Sequence, residues 1–329
     1  MNKVLLCPGQ GAQAIGMAKA WYDTSAEARQ VFAQADALLA GQLPGNATLS
    51  ELCFSGPADV LNRTDVSQPA IFTATVACLR GLLAALHFGS IEEAKVVAAA
   101  GLSLGEYSAL HIAGCFSFAD GLSLVALRGQ AMQQAAVAVP SGMVALIGAD
   151  EDKAKAVCAE ALAGHSADVL VCANFNAPGQ VVISGSKAAC DRVPDAADKV
   201  GVKATVLAVA GAFHSPIMAP AAARLKAKLA ATTITPPRCT VVSNVTAKPH
   251  AAEGGLGLAD AIRARLVEQL TAPVRWSESC SWLVATIPAT TATYHELAPG
   301  KTLTGLFKRI DRNVKIENHD TPTTAAPAA

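Results

Sequence analysis

The sequence predicts an α/β chain with a small second domain inserted into the larger one. Three observations lead there. Apolar strand-length runs alternate with helical patterns almost throughout, as in a sheet covered by helices. Between about residues 139 and 209 the order becomes β-α-β-β-α-β, the ferredoxin-like split motif. The chain has 329 residues and is 52% hydrophobic, enough apolar material for a core of that size.

Taken in order, the first strand is Lys3–Cys7, and the glycine-rich segment Pro8–Gln13 follows it. The apolar run Ala94–Ala100 is a second strand that ends at Gly101. A helix follows from near Leu104 to Ile112, and Gly121–Ala138 is another. In the insert, Gly142–Gly148 reads as a strand and Glu151–Ala163 as a helix. Asp168–Asn174 and Gln180–Ser184 read as strands joined by the turn sequence Asn176–Gly179. Lys187–Val200 is a helix and Ala204–Val209 a strand. The larger body resumes with helix Pro216–Ala230, strand Cys239–Ser243, a helix near Leu256–Leu270, strand Thr293–Leu297 and helix Thr302–Ile310. The division expected is therefore 1–138 with 210–317 as one body and 139–209 as the insert. Thr321–Ala329 (TPTTAAPAA) is of low complexity, so 318–329 is expected to be a disordered tail. No internal repeats are visible.

Composition removes several function classes. Lys+Arg 26 balances Asp+Glu 26, so no electrostatic footprint for nucleic acid is present. Nine cysteines, an odd number without C-x-x-C, read as reduced core thiols in a reducing compartment. No zinc-ligand spacing stands out, and no metal is expected. The first strand begins at Lys3, so no signal peptide is read. Gly129–Ala149 and Ala204–Ala223 lack charge, but proline, Gln133, Gln134 and His214 interrupt them. They read as buried strand plus turn rather than as membrane spans.

Three segments carry chemistry. Gly101-Leu-Ser-Leu-Gly105 fits G-x-S-x-G between a strand and a helix. Glycines beside a sharply turned serine remove Cβ clashes, and the hydroxyl is presented at a helix N-terminus whose free N–H groups stabilise negative charge. The same five residues are also compatible with a plain strand-to-helix turn in which Ser103 caps the helix. Pro8–Gln13 places a glycine-rich turn at a strand end, where backbone N–H groups could bind an anion. It lacks both the G-K-[ST] of a phosphate loop and the third glycine of a dinucleotide fingerprint, and a simple tight turn is the other reading. His214, in Gly211-Ala-Phe-His-Ser-Pro216, follows a strand and precedes a helix that Pro216 can start. Among seven histidines it alone shares the strand-end position of Ser103 and suits the base that a serine nucleophile needs. His165, His250 and His319 read as surface residues, and His214 could itself be only a satisfied core histidine.

The motifs GQGAQ, GLSLGEY, LVALRGQAM, NAPGQVVISG, GAFHSP, SNVT, QLTAPVRW and ELAPGKTLTGLFKRI occur in that order. Together they closely resemble the malonyl-CoA:acyl-carrier-protein transacylases of type II fatty acid synthesis, over residues 3–310. The resemblance implies an α/β-hydrolase-like larger subdomain around the ferredoxin-like insert. It implies Ser103 as nucleophile, His214 as base, and Gln10 and Leu104 as oxyanion-hole N–H donors. Arg128 would hold the malonyl carboxylate, and the main-chain carbonyl of Gln269 would orient the histidine. Gln68, Asn174, Phe213 and Asn244 would line the pocket, with Phe213 filling the space of a 2-methyl branch. A structural pairing of Arg128 with an acid such as Asp120 is the competing reading. One departure is Leu102, where most members carry histidine.

The activity so implied moves malonyl from malonyl-CoA to the phosphopantetheine thiol of acyl carrier protein through a malonyl-serine, for fatty acid elongation, with no cofactor. A serine hydrolase or thioesterase shares G-x-S-x-G, but that fold runs Ser…Asp/Glu…His with an HGGG loop that is lacking here. A non-catalytic carrier-binding module would have no use for an intact set of Ser103, His214 and Arg128. A polyketide-pathway acyltransferase would share the chemistry in full. The expected partners are acyl carrier protein and malonyl-CoA, without nucleic acid or membrane, for a monomer of the cytoplasm or, in a mature organellar form, the plastid stroma. Lys187, Arg192, Lys199 and Lys203 on the insert could meet an acidic carrier or form a solvated helix face.

Overall fold

The computed structural model describes residues 1–322. Nine strands form two sheets among these residues. They are β1 (Asn2–Cys7), β2 (Val96–Gly101), β3 (Ser141–Ile147), β4 (Leu170–Ala177), β5 (Gln180–Ser186), β6 (Lys203–Val206), β7 (Thr240–Val241), β8 (Ala292–Leu297) and β9 (Ile316–His319).

The first sheet has the order β7-β2-β1-β8-β9 and is parallel throughout. Parallel neighbours require crossovers, and helices supply them. β2 is Val-Val-Ala-Ala-Ala-Gly, so small side chains lie between the sheet and its helices, and Ala98, Ala99 and Ala100 are completely buried. The central helix Thr64–Ala85 is long and apolar enough to cross a membrane, yet 78% of its most apolar window is buried inside the fold. Helix Phe118–Ala138 packs against it and then leads directly into β3.

The second sheet has the order β4-β5-β3-β6 and is antiparallel. With helices Glu151–Leu162 and Lys187–Val200 the chain order is β-α-β-β-α-β. This unit has its own core, in which Val144, Leu146, Val157, Ile183 and Val193 are completely buried. It is stitched to the larger body by backbone bonds. Phe175 N–H donates to Val274 O at 2.9 Å, and Val274 N–H donates to Ala173 O at 2.8 Å. On its surface Arg192 pairs with Asp168 and Lys199 with Glu160, both at 2.5 Å, and Lys187 pairs with Asp191. Three of the four basic residues read from the sequence thus have local acidic partners.

Three differences from the sequence reading have physical causes. β6 stops at Val206 instead of Val209, because the chain peels from β3 there and residues 207–210 turn into a cleft wall. β7 is reduced to two residues because Val242 bridges Pro249 and Ser243 N–H bonds Lys248 O. The largest correction is at the C-terminus. Residues 318 and 319, expected in a disordered tail, belong to β9 and pair with β8. His319 is buried, its carbonyl accepting from Trp21 Nε1 at 2.8 Å and Cys78 Sγ at 3.3 Å, and Asp320 accepts from Gly300 N–H at 2.6 Å. The rest of the expected tail, 323–329, lies outside the described residues.

A chain ending at Glu317 would leave the buried Trp21 N–H without its acceptor. An unsatisfied buried donor costs about 1–3 kcal/mol, so the melting temperature should fall by roughly 1–4 °C. An unchanged melt would show that β9 adds nothing to the fold.

Candidate active site

Ser103 sits where β2 turns into helix Gly105–Ile112. Its φ of 53° is left-handed, which costs an L-residue roughly 1–2 kcal/mol. The neighbouring glycines make the turn possible. A Cβ on Gly101 would lie 1.9 Å from the Gly105 carbonyl carbon, and one on Gly105 would lie 2.1 Å from Cys7 O. The Asn244 side chain clamps the bend from both sides. Its Oδ1 accepts from Ser103 N–H at 2.6 Å and its Nδ2 donates to Gly101 O at 2.7 Å. Ser103 does not cap the helix. Its hydroxyl lies 2.8 Å from His214 Nε2.

His214 is held by the segment between β6 and helix Ala219–Ala230, and its φ of 56° is again left-handed. The next residue, Ser215, caps the short turn Pro216–Met218. His214 Nδ1 lies 2.7 Å from the main-chain oxygen of Gln269. A carbonyl only accepts, so Nδ1 carries the proton and the Nε2 lone pair faces Ser103. Complete burial, and then the positive charge of Arg128, lower the imidazole pKa to about 4. The ring is therefore a neutral base near pH 7.

Arg128, on helix Phe118–Ala138, is 1% exposed and forms no ion pair among the described residues. Its Nη1 donates to Gln68 Oε1 at 2.8 Å. Its Nη2 donates to Gln269 Oε1 at 2.9 Å and to Ser103 Oγ at 3.1 Å. The guanidinium lies 5.3 Å from the centre of the Tyr107 ring. Asp120 is engaged elsewhere, capping its own helix with Ser117, so the Arg128–Asp120 pairing is not formed.

Behind these residues is a buried acid that the sequence reading missed. Glu106 Oε2 accepts from Gln269 Nε2 at 2.6 Å and from Asn244 N–H at 3.2 Å, while Oε1 lies 2.8 Å from His250 Nε2. The Gln269 amide thus presents its oxygen to the cation and its nitrogen to the carboxylate, which fixes its orientation. The single carboxylate of helix Gly105–Ile112, one turn after Ser103, was the available signal for Glu106. His250 gave none, since its position in a polar loop suggested a surface residue. Its side chain is only 1% exposed.

A cleft of about 380 Å³ opens over Ser103, lined by Gln10, Arg128, Asn174, Phe213 and His214. Gln68 and Asn244 do not line it, contrary to expectation. Both are completely buried, one bound to Arg128 and the other to the elbow, so they hold other residues in place. The Pro8–Gln13 loop rests on the elbow, and a Cβ on Gly9 would lie 2.3 Å from Leu102 O. Among the described residues, Gln10 N–H and Leu104 N–H have no hydrogen-bond partner. The geometry provides an activated hydroxyl, a neutral base and a buried cation within hydrogen-bond distance of that hydroxyl.

The acyl transferase domain family matches residues 4–309. The malonyl CoA-acyl carrier protein transacylase of Bacillus subtilis is 37% identical over 328 residues, covering 98% of this chain and 95% of the relative. That of Escherichia coli K12 is 38% identical over 322 residues, covering 98% and 96%. The solved acyl-carrier-protein-S-malonyltransferase of Bartonella henselae superposes with a TM-score of 0.87 at 37% identity, covering 98% and 96%. A malonyl-transacylase in complex with a type II PKS acyl-carrier protein superposes at 0.86 with 34% identity, covering 98% and 97%.

Only neutral His214 can take the Ser103 proton, and burial moves its protonation from about 6.5 down to about 4. The rate of Ser103 modification by a serine-directed phosphonylating reagent, read after short pH jumps, should stay level from pH 7 to about 5 and halve near 4. Half-loss near pH 6.5 would mean that the ring is not held neutral.

Proposed function

The chain belongs to the acyl transferase domain family and, within it, to the malonyl-CoA:acyl-carrier-protein transacylases, and from that premise we propose how its own residues carry out the transfer. One observation carries the reading. A buried guanidinium without a carboxylate partner among the described residues touches the nucleophile. A charge so placed answers a substrate that brings its own anion next to the reacting carbonyl, as malonyl does.

Ser103 Oγ attacks the thioester carbon of malonyl-CoA while its proton passes to His214 Nε2. The oxyanion is received by the N–H groups of Gln10 and Leu104. The C–S bond breaks, and His214 returns the proton to the departing thiolate, which leaves as coenzyme A. The malonyl ester on Ser103 is then attacked by the phosphopantetheine thiol of acyl carrier protein, whose proton goes to His214. The C–O bond breaks, and Ser103 recovers its proton. One thioester replaces another of similar energy, so the cycle draws on no cofactor. Arg128 exchanges neutral amide acceptors for the malonyl carboxylate, and the Gln269 carbonyl keeps the imidazole in its productive tautomer. Phe213 and Asn174 shape the cleft, Phe213 where a 2-methyl branch would project.

The β-α-β-β-α-β order supports reading the smaller unit as ferredoxin-like, and the serine elbow at the end of β2 supports an α/β-hydrolase-like larger one. The reading extends to a monomer of the cytoplasm, or of the plastid stroma for an organellar form. Service to a polyketide pathway by the same chemistry is a second reading, favoured by the relative in complex with a type II PKS acyl-carrier protein.

Intact-mass analysis tests the covalent step. Wild type mixed with malonyl-CoA should gain one malonyl group and lose it to phosphopantetheinylated carrier protein, whereas Ser103→Ala should gain none. Release of free malonate instead of transfer would favour a hydrolase. For Arg128→Ala, kcat/KM with malonyl-CoA should fall roughly 10²-fold or more, as expected for a lost charged hydrogen-bonded pair. Its acetyl-CoA activity should hold or rise. An equal fall for both substrates would make Arg128 a structural residue only.

A further inference from the structure

The edge of the parallel sheet farthest from β7 carries a cluster that acyl transfer does not use. β8 and β9 pair in parallel with His295 opposite Glu317 and Leu297 opposite His319. Alternate residues of a strand share a face, so His295, Glu317 and His319 converge on one side. His295 Nδ1 lies 3.0 Å from His319 Nε2 and 3.5 Å from Glu317 Oε2, and each of the three residues offers one ligand atom within 4.8 Å of the other two. Both imidazoles are more than nine-tenths buried, whereas the Glu317 side chain is 58% exposed.

We propose that His295 Nδ1, His319 Nε2 and Glu317 Oε2 form a binding site for a divalent transition-metal cation of the zinc class. Two imidazoles and a carboxylate are a donor set that such ions favour, with a fourth position open to water. Ligand atoms about 2.0–2.1 Å from a tetrahedral zinc lie about 3.3 Å from each other. The two separations of 3.0 and 3.5 Å bracket that value. The other nitrogen of His295 meets Thr293 Oγ1 at 2.7 Å, an outer contact that holds the ring orientation of a ligating histidine. The exposed Glu317 side opens the site to solvent. The nearby cation, Lys3, is drawn aside to Ala94 O and lies over the Phe88 ring.

The site also addresses how the last strand is held. β9 is Ile-Glu-Asn-His, with only His319 buried, so it contributes little apolar contact of its own. A cation bridging β8 and β9 would fasten it to the sheet edge.

Chelator-treated full-length protein is titrated with Co²⁺, read by its visible d–d absorption, and Zn²⁺ is then used to displace it. Wild type should bind one equivalent, and excess Zn²⁺ should raise its melting temperature. Glu317→Gln, at an exposed position where folding is not at risk, should weaken binding at least about 10-fold, since even outer-shell changes cost that much. His295→Asn should abolish it. His214→Ala should bind as wild type does, which separates this site from the acyl-transfer centre. Absence of Co²⁺ bands in wild type at excess metal would overturn the proposal. So would undiminished binding by Glu317→Gln and His295→Asn, and in either case the two histidines remain only a hydrogen-bonded pair.

Discussion

Arg128 is a full positive charge enclosed in the protein, and burying an unanswered charge is among the most costly things a fold can do. Here dipoles answer it. Two amide oxygens, one hydroxyl and one aromatic face surround the guanidinium. Gln269 has the largest share of this work. Its side chain is polarised between Arg128 and Glu106, while its main chain holds His214. Neutral amides satisfy the cation without cancelling its charge, so its field still reaches the cleft. The same field helps keep the imidazole unprotonated.

Two residues in left-handed backbone conformations, Ser103 and His214, meet across a 2.8 Å contact. Neither conformation is favourable in isolation, and surrounding bonds sustain both. Asn244 spans the serine bend, and Asn244 N–H in turn reaches Glu106. The nucleophile, its base and the buried cation are therefore three ends of one hydrogen-bonded assembly rather than independent placements. Its members come from the turn after β2, the segment after β6, the loop after β7 and four helices, one of which ends at Gln269, and folding brings them together.

Much of this is legible in the amino-acid sequence. The alternation of strands and helices located β1 to β5 within a few residues, because each contains a short apolar run next to turn-forming residues. Ser103 and His214 stood out through their shared position at the ends of strands. What escaped lacked a local pattern. β9 has four mostly polar residues beside a low-complexity tail, so periodicity had nothing to register. Glu106 and His250 depend on pairing across 144 positions, a contact that no short motif records. Gln68 and Asn244 were assigned to the pocket wall although they support the residues that form it, since a sequence does not distinguish a side chain facing a cavity from one directly behind it. Likewise His295 and His319 come together through strand pairing rather than ligand spacing.

The acceptor that orients His214 belongs to the peptide backbone, and this has a consequence for inheritance. A carboxylate in that place could be deleted by changing one codon. A main-chain oxygen survives any substitution at position 269 that leaves the local path of the chain intact. The orienting function is thus insulated from point mutation, and natural variation there would act on the Arg128 and Glu106 contacts made by the side chain. Because the acceptor is neutral, it also lends the transient imidazolium less support than an aspartate would. This arrangement suits an enzyme whose proton must return promptly, first to the departing coenzyme A thiolate and then to the Ser103 oxygen.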